Sequence, residues 1–275
     1  MSATIHTRIS RVNGNGHQYA EDVLAVEEPL EIRLSYSEGG IRHEKAISVT
    51  MRTPGADAEL AIGFLFTEGI IAGTSDVTST VKVRDNVMLI TLADSCTPAI
   101  GKLDRNFYTT SSCGVCGKAS IDAVRTVCAI ADDYPYDGIK IPVSRVTQLP
   151  ETLRRRQQVF EQTGGLHACA LFSLDGELLM LREDVGRHNA LDKLVGAALK
   201  EQGIPISRHL LMLSGRASFE LVQKAAMAGI RVVAAVGAPS SLAVQMAEDS
   251  DMTIIGFLRG DKFNIYAGAQ RIELP

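Results

Sequence analysis

The chain has 275 residues, of which 45% are hydrophobic and 22% charged, an ordinary composition for a globular protein with a sizeable core. A formal net charge of −4 supplies no basic field for nucleic acid or an acidic membrane surface, so neither is expected as a partner. No apolar run approaches the ~20 residues of a membrane-spanning helix, Met1–Tyr19 lacks the apolar segment of a signal peptide, and five cysteines are too few for a disulfide scaffold. A cytoplasmic protein with reduced thiols is the expectation.

Residues 1–20 are polar, contain Asn13-Gly14-Asn15-Gly16 and read as a flexible leader. Val23–Tyr36 and Ile41–Met51 alternate apolar and polar residues about the turn Ser37–Gly40, as paired strands do. Thr53-Pro54 reads as a helix start, with Leu60, Phe64, Leu65 and Ile70 as its apolar content. Strands over Val77–Arg84 and Val87–Leu92 complete a small α+β unit. Asp94–Ser112 is irregular and leads to Thr109-Thr-Ser-Ser-Cys113-Gly-Val-Cys116-Gly117, after which Ile121, Val124 and Cys128 fall at helical spacing. Ala131–Val143 reads as linker.

Pro150-Glu151 is expected to open a basic helix that runs to Gln162 and closes at Gly164-Gly165. His167–Leu174 and Glu177–Arg182 form a hairpin about Asp175-Gly176, followed by a helix from about Asp184. Strands and helices then alternate to Phe257, and Phe263–Tyr266 and Gln270–Leu274 are short strands. Such a run implies a partly parallel sheet with helices on both faces. The expected organisation is a leader (1–20), a small α+β domain (21–104), a loop, helix and linker carrying the cysteine pair (105–145), and an α/β domain (146–275).

A Cys-x-x-Cys pair is half of a metal site, a dithiol couple or a sulfur carrier. Structural zinc needs about four ligands, and no second pair or histidine cluster accompanies Cys113 and Cys116; no metal is expected. Cys128 and Cys169 read as small buried hydrophobes, and Cys96 as either kind. A dithiol couple wants the first cysteine at a helix start directly after a buried strand. The helix after Gly117 and the nearby Lys118 fit that in part, and the loop-like approach does not. A flexible, glycine-flanked loop suits a thiol that moves between a sulfur donor and an acceptor.

In open α/β sheets, ligands sit beyond the carboxyl ends of the strands, where helix N-termini offer N–H groups to anions. Three such ends carry suitable residues: Ser214-Gly-Arg216-Ala-Ser218, Gly237-Ala-Pro-Ser240-Ser241, and Gly256-Phe257-Leu258-Arg259-Gly260-Asp261-Lys262. Each alone reads equally as helix capping; three on one edge point to a phosphate-bearing ligand. Asp184 reads as a cap for the next helix, and His188 as either a hydrogen-bonded helix-start histidine or a catalytic one. Arg154-Arg155-Arg156 reads as a solvated helix face.

Taken together, Cys113-Gly-Val-Cys-Gly117, Thr163-Gly-Gly-Leu-His167-Ala168, Glu183–Lys193 and Arg216-Ala-Ser-Phe-Glu220 resemble the FdhD family of formate dehydrogenase accessory sulfurtransferases, from about residue 22 to the C-terminus. The resemblance implies a cytoplasmic homodimer that takes persulfide sulfur from a cysteine desulfurase and passes it to the bis-molybdopterin guanine dinucleotide cofactor of formate dehydrogenase. It implies Cys113 as the persulfide intermediate, Cys116 as the assisting thiol, and Phe257, Leu258, Arg259, Gly260, Asp261 and Lys262 as the cofactor-binding segment. Guanine nucleotide, as part of that cofactor, would suit the strand ends, with Ser214, Arg216, Ser240 and His188 as further contacts. The resemblance also implies a cytidine-deaminase-like three-layer α/β/α fold for the C-terminal domain. His188 matches the zinc histidine of those enzymes, whereas Ala190 replaces their glutamate and Ser214–Ser218 their cysteines, so neither zinc nor deamination is expected. The rival functions are a thiol–disulfide oxidoreductase and a non-catalytic chaperone for the cofactor or its enzyme.

Overall fold

The computed structural model describes residues 2–99, 138–201 and 206–274. Two sheets and the helices between them build one core. The smaller sheet holds β3 (Glu28–Glu38), β4 (Ile41–Arg52), β5 (Val77–Arg84) and β6 (Val87–Leu92) in the order β4-β3-β6-β5. Only the β3–β6 pairing is parallel. Leu30, Ile32 and Leu34 alternate inward along β3 and join Ile47, Ile90 and Leu92 in the core, so one face of this sheet is buried. Helix α1 (Asp57–Thr67) covers that face.

The larger sheet has six strands, β8 (His167–Ser173), β9 (Leu178–Asp184), β10 (His209–Leu213), β11 (Val232–Ala235), β12 (Thr253–Arg259) and β13 (Lys262–Ala267), in the order β13-β12-β11-β10-β8-β9. Its central trio β10-β11-β12 is parallel, and the outer strands run antiparallel. Apart from His209 at the start of β10, strands β10 and β11 are apolar because both faces are covered. On one side Leu211, Leu213, Val233 and Ala235 meet α4 (Arg187–Glu201), α5 (Phe219–Met227) and α6 (Ser241–Asp249). On the other, Leu210, Met212, Val232 and Ala234 meet α2 (Val143–Arg156) through Val146, Leu149 and Leu153. Short β7 (Ile141–Pro142) pairs in parallel with β14 (Ile272–Glu273). No helix among the described residues is long and apolar enough to cross a membrane.

The two sheets meet where α1 crosses α4. A Cβ on Gly63 would stand 1.9 Å from the Asp192 carbonyl oxygen, and one on Gly196 would stand 2.0 Å from that of Glu59. Both contacts are backbone, so only glycine permits the crossing. Buried charge locks it. Lys224 Nζ on α5 donates to both oxygens of Asp192 (2.9 and 3.0 Å), to Thr67 Oγ1 (2.8 Å) and to Glu68 (3.2 Å). Burial pushes this lysine down; Asp192 and Glu68 outweigh it and hold the ammonium above its ordinary range.

Several sequence expectations change here. Residues 4–25 do not form a leader without structure: β1 (Thr4–Asn13) and β2 (Gly16–Ala25) pair over ten residues each. The Asn13–Gly16 stretch is the turn of that hairpin, Arg8 opposes Glu21, and Arg8 lies 4.3 Å over the Tyr19 ring. Helix α1 begins at Asp57 behind Ala56, so Thr53 is not its cap. Thr53 is instead buried, its N–H donating to Asp184 Oδ2 (3.1 Å) and its hydroxyl oxygen accepting from Val185 N–H (3.1 Å). Helix α2 starts eight residues before the expected Glu151 and holds Pro150 in its interior. Burial of the Val146–Leu149–Leu153 stripe outweighs the hydrogen bond that proline removes. The backbone breaks at Gln157, and a separate α3 (Gln158–Thr163) ends at Gly164, whose φ of 66° is the left-handed helix stop that glycine provides.

Candidate functional site

The parallel trio brings its three strand ends together, as the sequence implied. Gly237 N–H donates to Gly215 O (2.9 Å), Phe257 N–H to Gly237 O (3.1 Å), and Ala217 bridges Pro239. The glycines serve this loop-on-loop packing. A Cβ on Gly237 would lie 2.9 Å from Arg216 Cγ, and one on Gly256 would lie 2.8 Å from Pro239 Cδ. Beyond Gly256 the β12–β13 ladder shifts register. Phe257 sits there at φ 54°, a left-handed conformation that phenylalanine rarely adopts, and stands 45% exposed. Arg259 pairs with Lys262 across the Gly260-Asp261 turn, and all four are exposed. Leu258 is fully buried on the α2 face and is a core residue. Arg216, Arg259 and Lys262 have no acidic partner among the described residues, so this rim carries net positive charge.

The remaining strand-end residues divide. Ser240 caps α6, its Oγ accepting from Ala243 N–H (3.2 Å). Ser214 Oγ accepts from Ala168 N–H (2.8 Å), which ties β10 to the start of β8. His188 is 7% exposed, with Nε2 3.5 Å from Ser218 Oγ and 3.9 Å from Glu220 Oε2. It therefore sits between the starts of α4 and α5. The motif that contains it is largely structural. Asp184 accepts from Thr53 N–H, Gly186 N–H (2.8 Å) and Lys193 Nζ (2.7 Å), while Glu183 accepts from the N–H groups of Val159 (3.1 Å) and Phe160 (2.9 Å). Burial pushes the Asp184 carboxyl up and Lys193 pulls it back.

A cleft of about 550 Å³ opens on the α2 face of the same edge, walled by Leu153, Arg154, Gln157, Phe160, His167 and Ser214 among others. The motif Thr163–Ala168 forms one of its sides. Arg154 lies 4.2 Å over the Phe160 ring, and is thus part of a built wall as well as of a solvated face. Gln157 is 5% exposed, and its Nε2 has no hydrogen-bond partner among the described residues. Leaving such a donor buried costs about 1–3 kcal/mol. His167 is held below its ordinary 6.5, first by burial and then by the Arg187 guanidinium, so its ring is neutral near pH 7. The sequence signalled this cleft only through Thr163–Ala168; the role of Gln157 depends on a helix break that the proline at 150 concealed.

Cys113 and Cys116 lie outside the described residues, as does Cys128. Cys169 is buried in β8 with its thiol pushed up by desolvation, and burial also raises Cys96. Neither is a ready nucleophile. Among the described residues no group of three or more His, Cys, Asp and Glu could hold a metal ion.

The described residues form a mixed α/β fold with a cationic rim at the strand ends of its larger sheet and no reactive thiol. Residues 25–273 match the model of the FdhD/NarQ family. The chain belongs to that family. It is 49% identical to a Streptomyces coelicolor protein named sulfur carrier protein FdhD, over 98% of this chain and 96% of that one. It is also 49% identical to the protein of that name from Mycolicibacterium paratuberculosis, over 99% and 100%. Its fold is that of a crystallised Desulfotalea psychrophila protein described as a candidate formate dehydrogenase accessory protein, with a TM-score of 0.75 over 99% of this chain and 100% of that one, at 21% identity.

Proposed function

We propose that this protein is a cytoplasmic sulfurtransferase for formate dehydrogenase, with Cys113 as the sulfur carrier. The observation that carries this reading is the near-full-length 49% identity to proteins named as sulfur carriers, in a chain whose Cys113–Cys116 pair lies within the family-matched span. The Cys113 thiolate attacks the outer sulfur of a desulfurase persulfide. The S–S bond breaks, the desulfurase cysteine leaves as thiolate, and Cys113 holds the sulfane sulfur. Lys118 and the helix expected after Gly117 favour the attacking thiolate. The outer sulfur then leaves Cys113 as sulfide for the substrate, the molybdenum centre of bis-molybdopterin guanine dinucleotide, with Cys116 assisting; a small-molecule thiol supplies the two electrons as it goes to its disulfide, and the Cys113 thiol is restored. Phosphates of that substrate suit the exposed Arg216, Arg259 and Lys262, and the exposed face of Phe257 suits its guanine. A homodimer is the working form.

Mass spectrometry after incubation with a cysteine desulfurase and free cysteine tests this. A cyanolysable sulfur on the Cys113 peptide, absent in Cys113→Ser, is expected. A Cys113–Cys116 disulfide without added sulfur replaces the reading by a thiol–disulfide oxidoreductase. An unmodified pair replaces it by a non-catalytic chaperone.

A further inference from the structure

We propose that the cleft between α2, α3 and the start of β8 binds a fused 2-amino-4-oxo heterocycle carrying an anionic substituent, and that in the reading above this is the pterin of the substrate. The inference rests on that reading for the identity of the ring, and on the cleft for the chemistry.

Three features set the chemistry. Gln157 lies in the wall with an amide donor that no described residue satisfies. A side-chain amide carries a donor and an acceptor side by side, which matches the carbonyl and ring N–H of a 2-amino-4-oxo edge. Arg154, packed on Phe160, has no acidic partner among the described residues. Its outer guanidinium face stacks on a flat ring, and its N–H edge meets a carboxylate or phosphate. Ser214 Oγ already accepts from Ala168 N–H, so its own hydroxyl proton is left to donate into the cleft. The surrounding wall of Leu153, Leu166 and Val236 is apolar, and a space of about 550 Å³ is within the range that holds such a ring. Guanine shares the same edge. The strand-end rim, with Phe257 and Lys262, lies beyond β11 from the cleft, two strand spacings or roughly 10 Å from β10. A cofactor that joins a pterin to a guanine nucleotide would therefore reach both.

Fluorescence anisotropy with pterin-6-carboxylate as probe tests the assignment, and the chain has no tryptophan to obscure its emission. Saturable binding is expected, weakened at least tenfold by Gln157→Leu and by Arg154→Ala and unchanged by Lys262→Ala. Gln157→Leu removes an unpaired buried donor, so the fold is retained. GDP, measured by equilibrium dialysis, is expected to show the reverse dependence. Unaltered probe affinity in Gln157→Leu overturns the proposal, as does the absence of saturable binding. GDP that displaces the probe and itself loses affinity in Gln157→Leu makes the cleft a guanine site and overturns the pterin assignment. Absence of sulfur on Cys113 with the expected probe binding overturns only the sulfur-transfer reading.

Discussion

Replacing Gly196 by alanine tests whether the α1–α4 crossing is what joins the two sheets. The new Cβ would stand 2.0 Å from the Glu59 carbonyl oxygen, about 1.4 Å short of ordinary van der Waals contact. The opposing atom is helix backbone, so no rotamer change relieves the clash and the helices must separate. Overpacking of this kind costs about 1–3 kcal/mol, and an unyielding partner places it at the upper end. Alanine returns about 1 kcal/mol of helix propensity. The net loss is about 2 kcal/mol, which for a chain of this size lowers the melting temperature by roughly 4–8 °C. Urea unfolding followed by far-ultraviolet circular dichroism, together with calorimetry, measures it. A variant as stable as the parent, or more stable, refutes the reasoning, because a glycine in an open helix would give that result.

Lys224→Met leaves Asp192 buried without its cation and should cost about 3–5 kcal/mol in the same urea assay, while the further change Asp192→Leu should recover most of the loss. A single variant with parental stability would show that the ion pair contributes nothing. The His167 imidazole should titrate below the ordinary 6.5 by proton NMR, and Arg187→Gln should move its midpoint upward. Because the folded midpoint is depressed, the stability linked to the neutral ring is complete above pH 6.5 and is lost as pH falls through that midpoint. A midpoint at or above 6.5 would contradict the burial assigned to this ring.

Much of the fold was legible because its signals are local. Alternation along β3, the apolar runs of β10 and β11 and the Asp175-Gly176 turn each act within a few residues. What misled was also local. Pro150 and Thr53 carry strong short-range meanings as helix starters, yet a buried stripe places the first inside a helix and the Asp184 carboxylate recruits the second into the core. The site was legible in the same uneven way. The strand-end glycines and cations were visible as motifs, but Leu258 and Ser214 are held by packing and by pairing with β8, and only tertiary contacts disclose that. Asp184 reads as a helix cap, and Asp192 and Lys193 only as part of the motif that carries the resemblance, yet all three bond across the joint between the two sheets.

That joint also fixes when the chain can finish folding during synthesis. Thr53 waits 131 residues for Asp184, and Glu68 waits 156 for Lys224. At the usual pace of translation, about 5–20 residues per second, the second interval lasts on the order of 8–30 s. Until Arg187–Glu201 has been made α1 has no α4 to pack against and its apolar flank is uncovered, and to the end of the interval the Glu68 carboxylate lacks Lys224. A chain released before residue 187 keeps that flank uncovered, and one released before residue 224 lacks the lysine that closes the joint. Aggregation or proteolysis of incomplete chains is therefore built into the order in which this sequence emerges.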